Sequence, residues 1–334
     1  MPAWTLWTLC HCWVMRVIEL VAAGNEASDL LRVHDPSLLE ELGARAAFWT
    51  VLDEGPVEAC LALLIQFHDG QWQARHVLAD AGVHTGRTED AEALAWHEGW
   101  VYVLGSHFGK KKGPLKARRA FIARFRESLT PKLEISRHAF ALHRTINDAI
   151  AGTAGTPAEE VHARFIAATR ARAEARGKAW AAQLVPGDHP INIEGAAFTE
   201  QGTLLIGLRW PVTAEGEPLL VELDRRLSVE NVYKLSGVGQ GPLGIRALSA
   251  RDDGSFDVIV GSIDALDKGS VLLNAHPEAR EATCRHYRFR LGQAPELVRD
   301  LAPLHHVEGV AELDGRPIYV TDEDHRIGLL VPFQ

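Results

Sequence analysis

The feature that most constrains the fold is a hairpin-like unit that recurs along the chain. In each copy, a short apolar run starts at a charged residue, turns near a glycine and continues as a second run, which ends at a polar residue 14 to 16 positions further on. Three copies start at Glu92, Glu194 and Glu308, and a fourth has Arg246 at that position. Two β-rich runs joined by a glycine-containing turn are typical of a β-hairpin.

More β-rich sequence follows each hairpin, such as "LLVEL" and "NVYKL" after the Glu194 copy, so each repeat has three or four strands. A degenerate first copy covers 28–55. Repeated four-stranded antiparallel units indicate a β-propeller. We therefore predict an all-β protein, a β-propeller of five or six blades. Its N-terminal segment is expected to complete the last blade, because closure removes exposed sheet edges.

Two segments lie outside the repeat. Residues 156–184 are rich in alanine and arginine and have apolar residues at helical spacing, which predicts one helical insertion between the second and third blades. We expect it to be a solvated cover over one face, with a lid as the alternative. Residues 1–24 form an apolar leader, so the predicted organisation is this leader followed by a single propeller domain, 25–334.

Charge and hydropathy limit the classes of partner. The chain has 44 acidic and 35 basic residues, a net charge of −9, which argues against a nucleic-acid surface. The apolar run of the leader is too short to cross a bilayer, and no basic residue precedes it as in a secretory signal. We expect a cytoplasmic protein without a membrane span, with secretion or a periplasmic location as the alternative. The sequence does not identify a protein partner.

Several repeats also resemble a known family in their amino-acid sequence. The segments "YVLGSH", "INIEGAAF", "LLIGLR" and "VEGVA" resemble a bacterial propeller family known as a domain of unknown function, family 3616, over about 29–333. This resemblance implies the propeller fold and no particular activity. More distantly, the Glu-Gly blade starts are similar to those of calcium-dependent lactonase, phosphotriesterase and phytase-like propellers.

The repeat predicts that its charged residues converge. The first strand of each propeller blade lines the central channel, and residues two apart share a strand face. Carboxylates brought to one mouth need a counter-charge, protons or a cation. Oxygen ligands of this kind suit a divalent cation such as calcium or magnesium. The predicted metal ligands are Glu92, Asn192, Glu194, Glu308, Asp322 and Asp53.

The function that this arrangement favours is a metal-assisted hydrolase of a small anionic ester or lactone. Catalytic roles are predicted for Glu92, Glu194, Glu308 and Arg246, with the arginine on the substrate anion. The predicted substrate-binding residues are Arg209, Ser106, His107, Lys112, Arg118 and Arg119. The alternative is a non-catalytic propeller that binds a ligand or a protein, in which each motif glutamate accepts backbone hydrogen bonds at its blade junction.

Overall fold

A computed structural model of the chain describes residues 15–22, 26–52, 55–266, 269–322 and 326–332. Within these ranges the strands form five four-stranded antiparallel sheets. The strands are β1 (Met15–Leu20), β2 (Ala27–Arg32), β3 (Ala44–Leu52), β4 (Leu61–Phe67), β5 (Trp72–Val77), β6 (Ala91–His97), β7 (Trp100–Gly105), β8 (Phe121–Phe125), β9 (Glu134–Arg137), β10 (Asn192–Phe198), β11 (Leu204–Val212), β12 (Pro218–Leu223), β13 (Val229–Lys234), β14 (Gly244–Ala250), β15 (Phe256–Gly261), β16 (Arg285–Phe289), β17 (Glu296–Asp300), β18 (Val307–Leu313), β19 (Arg316–Thr321) and β20 (Ile327–Pro332).

Four of the sheets are continuous in sequence: β2 to β5, β6 to β9, β10 to β13 and β14 to β17, each in chain order. The fifth sheet combines β18, β19 and β20 with β1, which pairs antiparallel with β20 at the outer edge. The N-terminal segment therefore completes the last sheet, as predicted from the repeat. The C-terminal part supplies three strands of that sheet.

The sheets are arranged in a ring. The first strands β2, β6, β10, β14 and β18 pack against one another in that order, and β18 packs against β2. Sheets set radially around an axis in this way form a β-propeller. The predicted all-β class with a propeller arrangement is therefore confirmed.

The position of a strand within its sheet explains its composition. Every residue of β11 and β12 is buried, because both faces of these inner strands are covered by neighbouring sheets. They therefore read as continuous apolar runs and not as alternating ones. The outer strand β13 has no buried residue and carries polar side chains. The cores thus lie between adjacent sheets.

Helices occupy three of the connections. Helix α1 (Pro36–Leu42) links β2 to β3 and is capped by Asp35, whose side chain accepts a hydrogen bond from the Ser37 N–H. Helices α2 (Ala141–Ile150), α3 (Glu159–His162) and α4 (Ala168–Glu174) lie between β9 and β10, and α5 (Val271–Ala275) lies between β15 and β16. Among the described residues, none of the helices is long and apolar enough to cross a membrane.

The insertion lies between the second and third sheets, where the sequence pattern placed it, but its helical part starts earlier. A stretch that resembles a strand in sequence ends as β9 at Arg137 and continues as α2 from Ala141. The reason is local, since two consecutive residues, Ala139 and Phe140, have φ angles of 41° and 69°, which lie far outside the extended region of a regular strand. A π-helical turn, Ala163–Ala167, joins α3 to α4.

The insertion is more than a solvated cover, because one side of its helices is part of a buried cluster. Phe165 and Leu184 are fully buried and share one apolar cluster with Phe108 and Trp210 from the propeller loops. The Leu115 N–H also donates a hydrogen bond of 2.8 Å to Thr169 Oγ1 on α4. We call this cluster, together with α2 to α4, the insertion core. It packs against the loop that follows β7 and so fixes that loop beside the channel.

Candidate functional site

A β-bulge in each first strand positions the residue that the repeat singled out. In four sheets the register shifts by one residue at the motif position, which leaves Glu92, Glu194, Arg246 and Glu308 without a direct partner on the second strand. A bulge bends its strand and re-aims a side chain. These four residues therefore point away from the regular sheet, towards the common mouth.

A glycine follows two of the motif glutamates, Glu194 and Glu308, because these positions leave no room for a side chain. A Cβ on Gly309 would lie 2.6 Å from the backbone carbonyl carbon of Asp29 in β2, and one on Gly195 would lie 2.7 Å from Leu248 Cβ in β14. Neighbouring first strands approach too closely at these points for any side chain. The Glu-Gly pair thus combines a bulge residue with a contact that closes the ring.

A cavity of about 1200 Å³ opens where the first strands converge. The predicted site residues in its wall are Glu92, Asn192, Glu194, Arg209, Arg246, Glu308, Asp322, Arg118 and Arg119. Three others are not in its wall, namely Ser106, His107 and Lys112, and Asp53 lies outside the described residues. Its described wall contains eight acidic residues and seven lysines and arginines, so opposite charges nearly balance.

Glu194 lies at the centre of the deepest group. Its Oε1 accepts a hydrogen bond of 2.6 Å from Arg209 Nη1 and one of 3.0 Å from Asn192 Nδ2. All three residues are at most 7% exposed. Burial lowers the pKa of Arg209, but the charges of Glu194 and Asp264 outweigh it and hold this pKa above its usual value. The guanidinium is therefore the counter-charge that the clustered carboxylates require.

A second buried arginine pairs with the last motif glutamate. Arg246 Nη2 forms an ion pair with Glu308 Oε1, and the arginine side chain is only 1% exposed. Burial lowers the pKa of Arg246, and the nearby positive charge of Arg209 lowers it further. Two guanidinium groups thus lie close together in the wall, so an anion bound between them would relieve their repulsion.

Glu308 belongs to the one group in the described residues whose ligand atoms could hold a metal. Atoms of His306, Glu308 and Asp322 all lie within 4.8 Å of one another. The side chains are 11% to 26% exposed, so the group faces the cavity and not the core. His306 was not among the predicted ligands. Its position two residues before Glu308, on the same face of the strand, was the available signal.

A third ion pair lies on the wall of the second sheet. Arg119 Nη1 donates a hydrogen bond of 2.6 Å to Asp90 Oδ2, and Glu89 pairs with Lys116. Burial raises the pKa of Asp90, while the charge of Arg119 opposes that rise. Asp90, Glu89 and Lys116 were missing from the predicted site. Asp90 offered the same signal as His306, a position two residues before the motif glutamate, whereas Glu89 and Lys116 lie outside the strands that carry the repeat.

The predicted roles of Ser106, His107 and Lys112 are wrong in their placement. Ser106 is 1% exposed, and its hydroxyl donates to Asp90, so it supports the wall from behind. His107 is fully buried and lies with its Nε2 2.6 Å from the Nε2 of His138. Lys112 is exposed and lies against Gly269, outside the wall. Both Ser106 and His107 lie just after β7 ends at Gly105, and neither lines the cavity.

The junction role that the alternative interpretation gave to the glutamates belongs to an aspartate in the first sheet. The Asp29 carboxylate accepts hydrogen bonds from the backbone N–H groups of Leu30, at 2.7 Å, and Leu94, at 2.6 Å. Burial raises the pKa of Asp29 to about 8. Within the described part of the chain, Glu194 and Glu308 form ion pairs with arginines, and neither accepts a hydrogen bond from a backbone N–H group. The motif position therefore carries charge to the cavity in four sheets and ties two sheets together in the first.

Comparison with known proteins gives fold neighbours only. No family model matches the chain, and no curated protein matches it significantly. Similar solved structures include virginiamycin B lyase from Staphylococcus aureus (9% identity, 91% of this chain and 66% of that one, TM-score 0.34). A bifunctional GH43-CE protein from Bacteroides eggerthii is also similar (14% identity, 93% of this chain and 33% of that one, TM-score 0.45). A third is a GH43 β-1,3-galactosidase with galactodeoxynojirimycin (9% identity, 92% of this chain and 91% of that one, TM-score 0.48).

The chain spans less than two thirds of the length of the first two of these proteins. At such identities the similarity concerns the fold alone. The function must therefore be argued from the cavity itself.

Proposed function

We propose that the protein is a hydrolase that acts on a small anionic ester or lactone in the cavity, assisted by a divalent cation. The observation that carries this proposal is the position of His306, Glu308 and Asp322 beside the buried Arg209 and Arg246 in one wall. A cation and two guanidinium groups at the same place match an anionic substrate whose ester oxygen needs polarisation. A cation site alone would not need two buried guanidinium groups beside it, and a guanidinium pair alone would not need a set of metal ligands.

The cation site would have three protein ligands. Three ligands with an open position are typical of catalytic metal sites, whereas structural sites are closed by four. An imidazole among the ligands favours zinc or manganese, so the expectation of calcium or magnesium is revised in this proposal. A metal bound there would lower the pKa of a coordinated water. Arg246 would hold the Glu308 carboxylate in place through their ion pair, as outer-shell groups of metal sites do.

The remaining residues would bind and orient the substrate. Arg209 and Arg246 would contact the substrate, with Arg246 on its anionic group, and Lys110 and Arg118, which are exposed at the rim, would attract that group. Glu92 is the candidate general base, since it lies in the same wall and its negative charge helps to raise the pKa of Arg209. The proposal keeps Glu92, Glu308 and Arg246 of the predicted catalytic residues, and of the predicted metal ligands it keeps only Glu308 and Asp322.

Metal content and turnover test the proposal together. We expect the purified protein to bind one zinc or manganese per chain, measured by elemental analysis, and to hydrolyse members of a panel of phosphoesters and lactones. His306→Gln and Asp322→Asn should each lower metal affinity and turnover at least tenfold with little change in thermal stability, because both side chains are partly exposed. The matched control His305→Gln changes the neighbouring histidine, which lies outside the cavity wall, and should retain both. Full metal content in both ligand variants would refute the metal site.

The second candidate is a propeller that binds an anionic ligand without reaction. The observation in its favour is that Glu194 and Glu308 are both engaged by arginines, which suits a fixed binding surface. A metal-loaded protein that binds carboxylates and phosphates but cleaves no ester would favour this function. We also propose that the five described sheets are the complete set of blades, and that the chain belongs with the family 3616 propellers it resembles.

A further inference from the structure

The deepest wall of the cavity contains buried polar atoms that no described residue satisfies. Asn192 Oδ1, Glu194 Oε2 and Arg209 Nη2 each have no hydrogen-bond partner. Their residues are 4%, 5% and 7% exposed, and all three line the cavity. Buried polar groups are satisfied in nearly all native proteins, so three adjacent exceptions need an explanation.

The three atoms form one connected group. Asn192 and Arg209 both donate to Glu194 Oε1, so the second polar atom at the tip of each of the three side chains has no partner. The leftover atoms are two acceptors, an amide oxygen and a carboxylate oxygen, and one charged donor. Because these side chains are already fixed by their mutual hydrogen bonds, the group is preorganised for a ligand.

The mixture of donors and acceptors selects the chemistry of that ligand. A carboxylate or phosphate offers only acceptors and would be repelled by Glu194. A metal ion or an ammonium group would satisfy the acceptors but would be repelled by Arg209. A hydroxyl group both donates and accepts, and two adjacent hydroxyls would satisfy all three atoms.

We infer that Asn192, Glu194 and Arg209 form a subsite for adjacent hydroxyl groups, so that the ligand is a polyhydroxylated anion such as a sugar acid. This inference rests on the proposed function for the anionic end of the ligand and adds the class of its other end. The hydroxyls lie against the third sheet. The anionic group lies towards Arg246 and the basic rim.

Calorimetric titration of the full-length protein with gluconate and hexanoate tests the inference. Both have six carbons and one carboxylate, and only gluconate carries hydroxyls. Hydrogen bonds to charged groups are strong enough that gluconate should bind about tenfold or more tightly than hexanoate. Glu194→Gln should remove most of this preference and leave hexanoate binding unchanged. Asn192→Leu, which keeps the ion pair between Glu194 and Arg209, should reduce the preference as well.

Lys110→Gln is the contrasting variant, since it removes a rim charge and should weaken both ligands equally. Equal affinities for the two ligands in the wild-type protein, or no binding of gluconate, would overturn the inference without recourse to any variant. A gluconate preference without cleavage of any ester would refute the hydrolase and keep the subsite. Equal kcat/KM for esters with and without hydroxyls would refute the subsite and keep the hydrolase.

Discussion

The channel mouth and the insertion core both bury ionisable side chains, but they neutralise them in opposite ways. At the mouth, charges are kept and paired, as in Arg209 with Glu194 at 2.6 Å and Arg119 with Asp90 at 2.6 Å. In and beside the insertion core the buried ionisable groups are mainly histidines, apart from Asp188, which pairs with Arg144, and burial lowers the pKa values of these histidines. The pKa falls to about 4 for His138 and His189 and to about 3 for His143.

The difference reflects what each region must do. A paired charge in a poorly solvated wall keeps its field and its hydrogen-bonding capacity for a ligand, at the cost of desolvation. A neutral imidazole can be packed like any other side chain. His107 illustrates the second case, because its Nδ1 donates to the Gly105 carbonyl, at 2.8 Å, which leaves its Nε2 to accept from His138. The mouth is thus organised for binding and the insertion core for packing.

The largest expected effect tests whether the insertion core is part of the folded unit. Phe165 is fully buried on the π-helical turn and stacks on Phe108, with ring centroids 4.7 Å apart. Phe165→Ala should lower the free energy of unfolding by about 3–5 kcal/mol, the usual cost of emptying such a site. Because Phe108 follows directly after β7, the loop beside the cavity should also loosen. Denaturant unfolding followed by tryptophan fluorescence measures the change.

The matched control for this variant lies on the same helix. Arg172 is exposed, so Arg172→Ala should change the free energy of unfolding by less than about 0.5 kcal/mol. If Phe165→Ala were equally silent, the insertion would be the solvated cover that the sequence first suggested, and the comparison between the two regions would fail.

The same contrast separates what the sequence predicts from what it does not. The repeat fixes Glu92, Glu194, Arg246 and Glu308 in equivalent bulges, so their convergence follows from periodicity and ring closure alone. Residues outside the repeat have no such equivalence. Lys116, for example, enters the wall from a loop between β7 and β8, where it pairs with Glu89.

Helix α2 and the burial of Phe165 depend on contacts between segments that no periodicity relates. The fragment around His138 has strand-like composition, yet the positive φ angles of Ala139 and Phe140 end the strand. Tertiary packing decides such segments, and local pattern does not. His306 shows the intermediate case, since the strand alternation placed it beside Glu308 but gave no reason to prefer it as a ligand.

The next effect is a loss of folding stability at acidic pH. The His143 imidazole is neutral when folded, because burial and the adjacent Arg144 lower its pKa to about 3. In the unfolded chain it binds a proton below about pH 6.5. Its lowered pKa therefore contributes stability that is present above that pH and is lost as the pH falls towards 3. Between pH 6.5 and 4.5 this imidazole alone should cost about 2 kcal/mol of the free energy of unfolding.

His143→Leu tests this linkage with little change in volume. The loss of stability between pH 6.5 and 4.5 should be smaller in the variant than in the wild type by that amount, measured by denaturant unfolding at both values. His68→Leu, which replaces an exposed histidine on the turn after β4, should leave the wild-type loss unchanged. A pH dependence that is identical in all three proteins would mean that burial does not keep His143 neutral.

The smallest effect measures how tightly the charges at the mouth are coupled. In a double-mutant cycle, Glu194→Gln and Arg209→Gln should each destabilise the protein, because each leaves the other residue buried without its counter-charge. The double variant should be less destabilised than the sum of the two by about 1–2 kcal/mol, the range for contacting charged residues.

The same cycle applied to His107 and His138 should give a coupling of less than about 1 kcal/mol at pH 7.5, since two neutral imidazoles share only a hydrogen bond. Chemical denaturation of all four proteins in each cycle provides the values. Equal coupling in both cycles would show that the mouth does not keep its charges, and a coupling that vanishes only between the histidines would confirm the distinction on which the proposed ligand site depends.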